Sequence, residues 1–476
     1  MKTTNELNKV PMLTKIFFGA GDMYGGGAFN IVNFFYAIFL TDVVQLSPAM
    51  AAPIFLIGKI WDAVTDPLMG ILSDRTNTKF GRRRPYFLSG VILIFLSFVI
   101  LWYPANFENT TFKFIYVLFS YVFFNTVFTI VMVPYSAMAA EITLDYNERT
   151  SVNSIRLMFS LGASVLCAIL PMQIVNSASD PRTGYIYMAV FFGILFSLPW
   201  IGVFTFTKEK PQFKALKKEF DWKKTFLEPI KIKSFRTLLV FFLASYLAMD
   251  VVSMIFAYYM TYYMNAKGSL PLVLGSLIIV QICFVPVYAH IAKKKSKNFA
   301  YILGTSIWIL ISLLTLIIRP TWPIWTMYLF AALIGSGISA ASVMPHAIFG
   351  DVTDVGELYF NERREGSFSG LITFTRKFSS AIVQSVVLTI LGVVGYLNPI
   401  DSVEFQQPEN VINTIRYILA FAPLIILSFG LIAAFRYPLT HELHNKLRDH
   451  LAYLRGDKKV EPLTEEEIKI LKDKLI

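Results

Sequence analysis

The sequence predicts an all-α membrane protein with twelve spanning helices in two sets of six. Composition is the first reason. Of 476 residues, 55% are hydrophobic and only 16% charged, with 43 phenylalanines and a mean hydropathy of +0.56. Soluble domains carry about 25% charged residues, so soluble enzyme folds are excluded. The second reason is the recurrence of apolar runs of about 20 residues, the length that crosses the bilayer core. The third is the alternation of basic and nearly uncharged connections between those runs.

The expected spans cover residues 15–40, 49–73, 86–103, 112–140, 153–176, 185–206, 236–264, 269–292, 299–318, 324–349, 367–396 and 412–436. Several exceed the minimum length, which implies tilt or extension beyond the bilayer. The first follows a polar stretch, residues 1–13, with no A-x-A-like cleavage site, and is expected to be its own uncleaved insertion signal. The loop after span 2 carries Arg75 and Arg82-Arg83-Arg84. The segment after span 6 is lysine-rich from Lys208 to Lys233, and the loop after span 8 holds Lys293-Lys294-Lys295-Ser296-Lys297. Connections after the odd-numbered spans have almost no Lys or Arg. Basic residues stay cytoplasmic, so the even-numbered connections and both termini are expected in the cytosol. Topology thereby accounts for the net charge of +11 without nucleic acid. Cys167 and Cys283 both fall in apolar runs and are read as packing residues, not a disulfide or metal site.

The lysine-rich segment divides the chain into a six-helix half at 1–206, a cytoplasmic linker at 207–235, a second half at 236–437 and a cytoplasmic tail at 438–476. Basic loops recur after the second span of each half. Two six-helix halves joined by a cytoplasmic linker describe the major facilitator architecture, in which substrate sites lie at mid-membrane between the halves. In the tail, Thr464 and Glu467 form a capping box and Leu463 with Ile468 a staple. They open a short amphipathic helix expected to pack on the linker, with a regulatory partner site as the alternative.

Asp62 and Asp66 are the residues that most need a reason. They lie four apart in span 2, on one helix face, where each buried charge costs roughly 2.5–3.5 kcal/mol. Paired carboxylates at that spacing make a hard-oxygen site for a proton or Na⁺. The alternative is a buried salt bridge to Lys59, which neutralises one carboxylate but not both. In span 4, Pro134 frees backbone carbonyls, and Thr129 offers either a hydroxyl ligand or a bond back to its own helix. Arg156 and Lys377, one in each half, are the deepest cations, with Arg376 beside Lys377. They suit substrate hydroxyls or carboxylates, or pairing with the aspartates when no ion is bound; structural pairing is the alternative. His346, Asp250, Asn30 and Asn33 are weaker candidates, and Asp22 sits either at the interface or in the cavity. Outside the spans, Asp145 to Arg149 and Asp351, Asp354 and Arg363 occupy corresponding loops of the two halves. They are read as a cytoplasmic latch or as solvated charges.

These residues together resemble the glycoside–pentoside–hexuronide:cation symporters, the family of the melibiose permease. The resemblance covers nearly all of residues 14–437. It rests on Gly21-Asp22, Thr41-Asp42-Val43, the Trp61-Asp62 to Asp66-Pro67 motif, Gly81 to Pro85 and Pro134-Tyr135. It continues through Glu141 to Asp145, Glu148-Arg149-Thr150, Arg156, Asp351 to Asp354, Arg363, Glu365 and Lys377. It implies a cation site of Asp62, Asp66, Thr65 and Thr129, Thr65 standing where the melibiose permease has asparagine. It implies sugar contacts from Arg156, Thr373, Lys377, Tyr135 and Asp22. The two sugar-binding aspartates of the melibiose permease are Gly26 and Met132 here, and Ser136 stands where it has tryptophan. A different glycoside, a larger oligosaccharide or an anionic hexuronide therefore fits as well as a galactoside.

The sequence thus reads as a symporter in the plasma (inner) membrane that imports a sugar with H⁺ or Na⁺ by alternating access. It is expected to work as a monomer with no cofactor. A carrier of another solute, an exporter or a lysolipid carrier, is the rival. A membrane-embedded enzyme or a sugar sensor is disfavoured, because no zincin, nucleophile-elbow, P-loop or Cys/His cluster motif occurs and the tail is short for a signalling domain.

Overall fold

The computed structural model describes residues 10–143, 145–209, 228–360, 365–399, 406–454 and 463–476. Helices follow one another as α1 (Met12–Ile31), α2 (Pro48–Arg75), α3 (Arg84–Trp102), α4 (Thr110–Glu141), α5 (Tyr146–Ser177), α6 (Pro181–Ser197), α7 (Pro199–Phe206) and α8 (Glu228–Lys231). They continue as α9 (Lys233–Tyr258), α10 (Leu270–Lys294), α11 (Lys297–Leu314), α12 (Trp325–Phe360), α13 (Glu365–Val393), α14 (Glu409–Phe435), α15 (His441–Leu454) and α16 (Glu465–Leu475). The described residues form no strand, only an isolated bridge between Thr78 and Gly81.

Ten helical stretches among the described residues are long and apolar enough to cross a membrane, with α6 and α7 together forming one of them. They match expected spans 3 to 12. Spans 1 and 2 are also helical, but each is atypical for a physical reason. Span 1 continues from α1 into two π-helical turns, Val32–Tyr36 and Phe39–Val43. Span 2 is the continuous α2, its apolar character diluted by Lys59, Asp62 and Asp66. Two helix starts and ends differ from expectation. α12 runs on to Phe360, so Asp351 and Asp354 lie on a helix and not in a loop; Val352, Val355 and Leu358 are buried along that extension and hold it. Arg149 likewise sits in the first turn of α5, whose N-cap is Asp145, its carboxylate accepting the Glu148 amide at 2.9 Å.

A backbone repeat was hidden from the sequence. Span 1 ends with Val44 N–H on the Phe39 carbonyl (3.0 Å) and Leu46 N–H on the Leu40 carbonyl (2.9 Å), with Gln45 at φ 60°. Span 7 ends the same way: Met264 N–H on Tyr259 (3.0 Å), Ala266 N–H on Met260 (2.9 Å), and Asn265 at φ 49° after the π turn Tyr259–Tyr263. Widened π turns closed by a left-handed residue satisfy the last carbonyls of both helices.

Contacts divide the chain into two compact units. One comprises Met1–Lys217, Phe256–Gly275 and Gln384–Thr414; the other comprises Lys218–Ile255, Ser276–Val383 and Ile415–Ile476. In the first unit α1 approaches α5 so closely that a Cβ on Gly26 would overlap the Ser160 hydroxyl. At its basic loop, the Glu209 carboxylate accepts the amides of Arg82 (2.9 Å), Arg83 (2.7 Å) and Arg84 (3.2 Å), capping α3 from the far end of α7. Gly81 has φ +108°, and a Cβ there would sit 2.7 Å from Glu209 Oε1, so only glycine fits. In the second unit α16 has the expected capping box, buries Leu471 and Leu475, and meets the start of α9: Ser234 Oγ donates to the Leu475 carbonyl (2.8 Å). The preceding tail helix, α15, was not anticipated. Of the two cysteines, Cys167 is buried as expected, whereas Cys283 is exposed.

Candidate functional site

The first unit gathers the expected cation ligands from α2 and α4. The Thr129 hydroxyl donates to Asp66 Oδ1 at 2.7 Å, which joins the two helices through the candidate carboxylate instead of bonding back along α4. Thr65 donates to the Trp61 carbonyl at 3.0 Å, keeping its oxygen lone pairs on the same stretch of helix. Asp62 is 2% exposed and its Oδ2 lies 3.3 Å from Lys59 Nζ, while that ammonium sits 4.4 Å from the centre of the Phe29 ring. The bridge to Lys59 therefore exists, and it coexists with a second carboxylate held by a hydroxyl. Among the described residues no group of three or more His, Cys, Asp or Glu is arranged for a metal. The bond between Thr129 and Asp66 joins α4 to α2 one helical turn from Asp62, and carboxylate and hydroxyl oxygens are the hard ligands that suit a proton or an alkali ion.

Arg156, Asp22 and Tyr135 also come together in the first unit. Arg156 Nη2 donates to Asp22 Oδ1 at 3.1 Å, and its guanidinium lies 4.6 Å from the Tyr135 ring centre. Tyr135 spends its hydroxyl on the Phe18 carbonyl (2.5 Å), so it offers the group a ring face. Asp22 thus lies beside Arg156. Position 26 is filled by the α1–α5 approach, and the Met132 methyl packs where a Cβ on Gly25 would otherwise stand. At the entrance to α1, Glu148 pairs with Lys15 (2.9 Å) and accepts the Val10 amide (2.9 Å), which gives the Glu148-Arg149-Thr150 motif a structural task.

In the second unit Thr373 is exposed and Lys377 half-buried on α13. Their neighbour Arg376 donates from both Nη atoms to Asp250 on α9, at 2.7 and 2.8 Å. Asp250 was a minor candidate because a lone aspartate carries no spacing signal. Of the proposed latch residues, Asp351 accepts Lys297 Nζ on both oxygens at 2.7 Å, and Asp354 lies 3.2 Å from His444 on α15. Their partners belong to the same unit. Arg149, in the first unit, donates to the Thr143 carbonyl at 3.4 Å. Arg363 lies outside the described residues.

A further cluster in the first unit was missed. Tyr262 and Tyr396 both donate hydroxyls to Asp42, the two hydroxyls being 3.0 Å apart, while Thr41 reaches the Tyr258 hydroxyl at 3.0 Å. The spacing of Tyr258 and Tyr262, one helical turn, was the available signal.

A family model described as MFS/sugar transport protein matches residues 17–441. The chain belongs to that family. An uncharacterized symporter of Synechocystis sp. is 27% identical over 95% of this chain and 98% of its own length. An Escherichia coli protein with the provisional name of glycoside/cation symporter is 28% identical over 91% and 93%. A chicken (Gallus gallus) protein named sodium-dependent lysophosphatidylcholine symporter 1 is 25% identical over 90% and 86%. In fold, the chain is similar to the crystal structure of a bacterial homologue of the iron transporter ferroportin, with a TM-score of 0.64 at 15% identity over 89% of this chain and 98% of that one. The protein is a multi-pass membrane transporter of the symporter type and not an enzyme.

Proposed function

We propose that the transporter imports a sugar, glycoside or oligosaccharide with H⁺ or Na⁺, as a monomer in the plasma (inner) membrane with both termini cytoplasmic. The observation that carries this reading is the Asp66–Thr129 bond beside the buried Asp62–Lys59 pair. An ion entering between the carboxylates neutralises them. The sugar contacts in this reading are Arg156, Asp22, Tyr135, Thr373 and Lys377. Only the empty or doubly loaded carrier then changes access, which couples the two fluxes. A coupling free energy of about 1–3 kcal/mol gives a 5- to 150-fold mutual gain in affinity. Asp351, Asp354, Arg149 and Arg363 serve the cytoplasmic closure in this reading.

A second reading, carriage of a lysolipid, is favoured by the name of the chicken relative. The same name supports sodium as the ion. Uptake into membrane vesicles of labelled glycosides and labelled lysophosphatidylcholine, under imposed pH or Na⁺ gradients, tests both. Gradient-driven glycoside accumulation supports the proposal; accumulation of the lysolipid alone replaces it.

A further inference from the structure

The second unit holds an ionic cluster at mid-helix that brings together residues far apart in the sequence. Asp250 is 4% exposed on α9, yet its partner Arg376 keeps 23% of its side chain accessible on α13. One turn before Asp250, Tyr246 places its ring 4.9 Å from the guanidinium carbon, and its hydroxyl lies 2.8 Å from Nε2 of His346 on α12. His346 is exposed. Four polar groups from three helices thus meet at one place in the unit, and ionisable groups at that depth face a bundle interior or wet cavity, not lipid.

The first unit contains the same device by itself. Arg156 on α5 pairs with Asp22 on α1 and lies 4.6 Å from a tyrosine ring centre. α1 and α9 begin the two sets of six spans, and α5 and α13 are the fifth of each. A buried pair that served packing alone gains little over apolar residues of equal volume. Its repetition with one accessible edge argues for a ligand.

We infer that Arg376, Asp250, Tyr246 and His346 form a substrate subsite for the hydroxyls of a neutral sugar. This rests on the sugar-symport reading above and narrows it. The guanidinium edge and imidazole offer donors, the aspartate and tyrosine oxygens offer acceptors, and the ring offers a face. The bidentate bond spends both Nη groups of Arg376 on Asp250 and offsets its charge, so a uronate arriving here meets a carboxylate beside a guanidinium that is already engaged.

Calorimetry on the purified full-length carrier, with p-nitrophenyl glycosides and the matching p-nitrophenyl uronides, tests this. The wild type is expected to bind a neutral glycoside at least tenfold more tightly than its uronide. Arg376→Gln should weaken the glycoside at least tenfold. Asp250→Asn, which frees the arginine charge, should also weaken it and shrink or invert the preference. The neutral double variant Asp250→Asn/Arg376→Gln guards against misfolding from an unpaired charge. If it elutes as a folded monodisperse species and binds the glycoside as tightly as wild type, the subsite is overturned. A wild type that prefers uronides also overturns it, with the sugar reading intact. Binding of lysophosphatidylcholine but of no glycoside or uronide instead overturns the sugar reading itself.

Discussion

Replacing Lys59 by methionine is expected to raise the carrier's affinity for its coupling cation. In the structure the Lys59 ammonium stands 3.3 Å from Asp62 Oδ2, with both side chains at least 90% buried. A cation that binds Asp62 has to displace that ammonium. At an effective dielectric of about 20, two unit charges at this distance attract by about 5 kcal/mol. Water and protein relaxation absorb much of that. If a little over a quarter reaches the incoming ion, the gain is about 1.4 kcal/mol, or about tenfold. Methionine keeps the length of the chain and a favourable contact with the Phe29 ring, which lies 4.4 Å from the ammonium. Loss of one partner from a buried pair costs about 3–5 kcal/mol of stability, so folded carrier must be quantified first. Initial rates of substrate uptake in vesicles, measured against external Na⁺ and against pH, give the half-saturating cation concentration. It should fall about tenfold or more. An unchanged or higher value in well-folded Lys59→Met carrier would refute ion binding at Asp62 and leave the pair as a structural bridge.

Three further outcomes are expected. Glu209→Gln removes the charge that receives three amides at the start of α3, and should lower stability by about 1–3 kcal/mol, seen as a drop in thermal unfolding temperature with substrate affinity unchanged. Arg156→Gln strands Asp22 and should reduce folded yield; adding Asp22→Asn should restore the yield but not sugar binding by calorimetry, whereas restored binding would make the pair purely structural. Single cysteines at positions 84 and 220 should resist a membrane-impermeant maleimide in intact cells, since both lie in basic segments; labelling from outside would reverse the topology.

The spans were legible because lipid leaves only one secondary structure open to a long apolar segment, and because lysines mark every second connection. Their ends were less so. α12 outran its apolar run since Val352, Val355 and Leu358 pack along an otherwise polar stretch, a tertiary effect that hydropathy does not carry. The π turns at Val32–Tyr36 and Tyr259–Tyr263 depend on backbone hydrogen bonds that no composition announces. At the site, Asp62 and Asp66 stood out through their spacing on one helix. Arg376 with Asp250, and Asp42 with Tyr262 and Tyr396, did not, because their members come from segments far apart in the chain. Long-range partners of single charges are what one sequence conceals. Gly26 shows the converse: it marked a departure from the melibiose permease pattern, but its reason, the Ser160 contact, needed coordinates.

The central claim is that a cation bound at Asp62 and Asp66 drives sugar uptake. The most direct measurement uses purified carrier in proteoliposomes, labelled glycoside inside and outside, and an imposed Na⁺ or H⁺ gradient. The wild type should accumulate glycoside only with the gradient. Asp66→Asn should lose accumulation while still exchanging internal for external glycoside. Full gradient-driven accumulation by folded Asp66→Asn carrier would contradict the account.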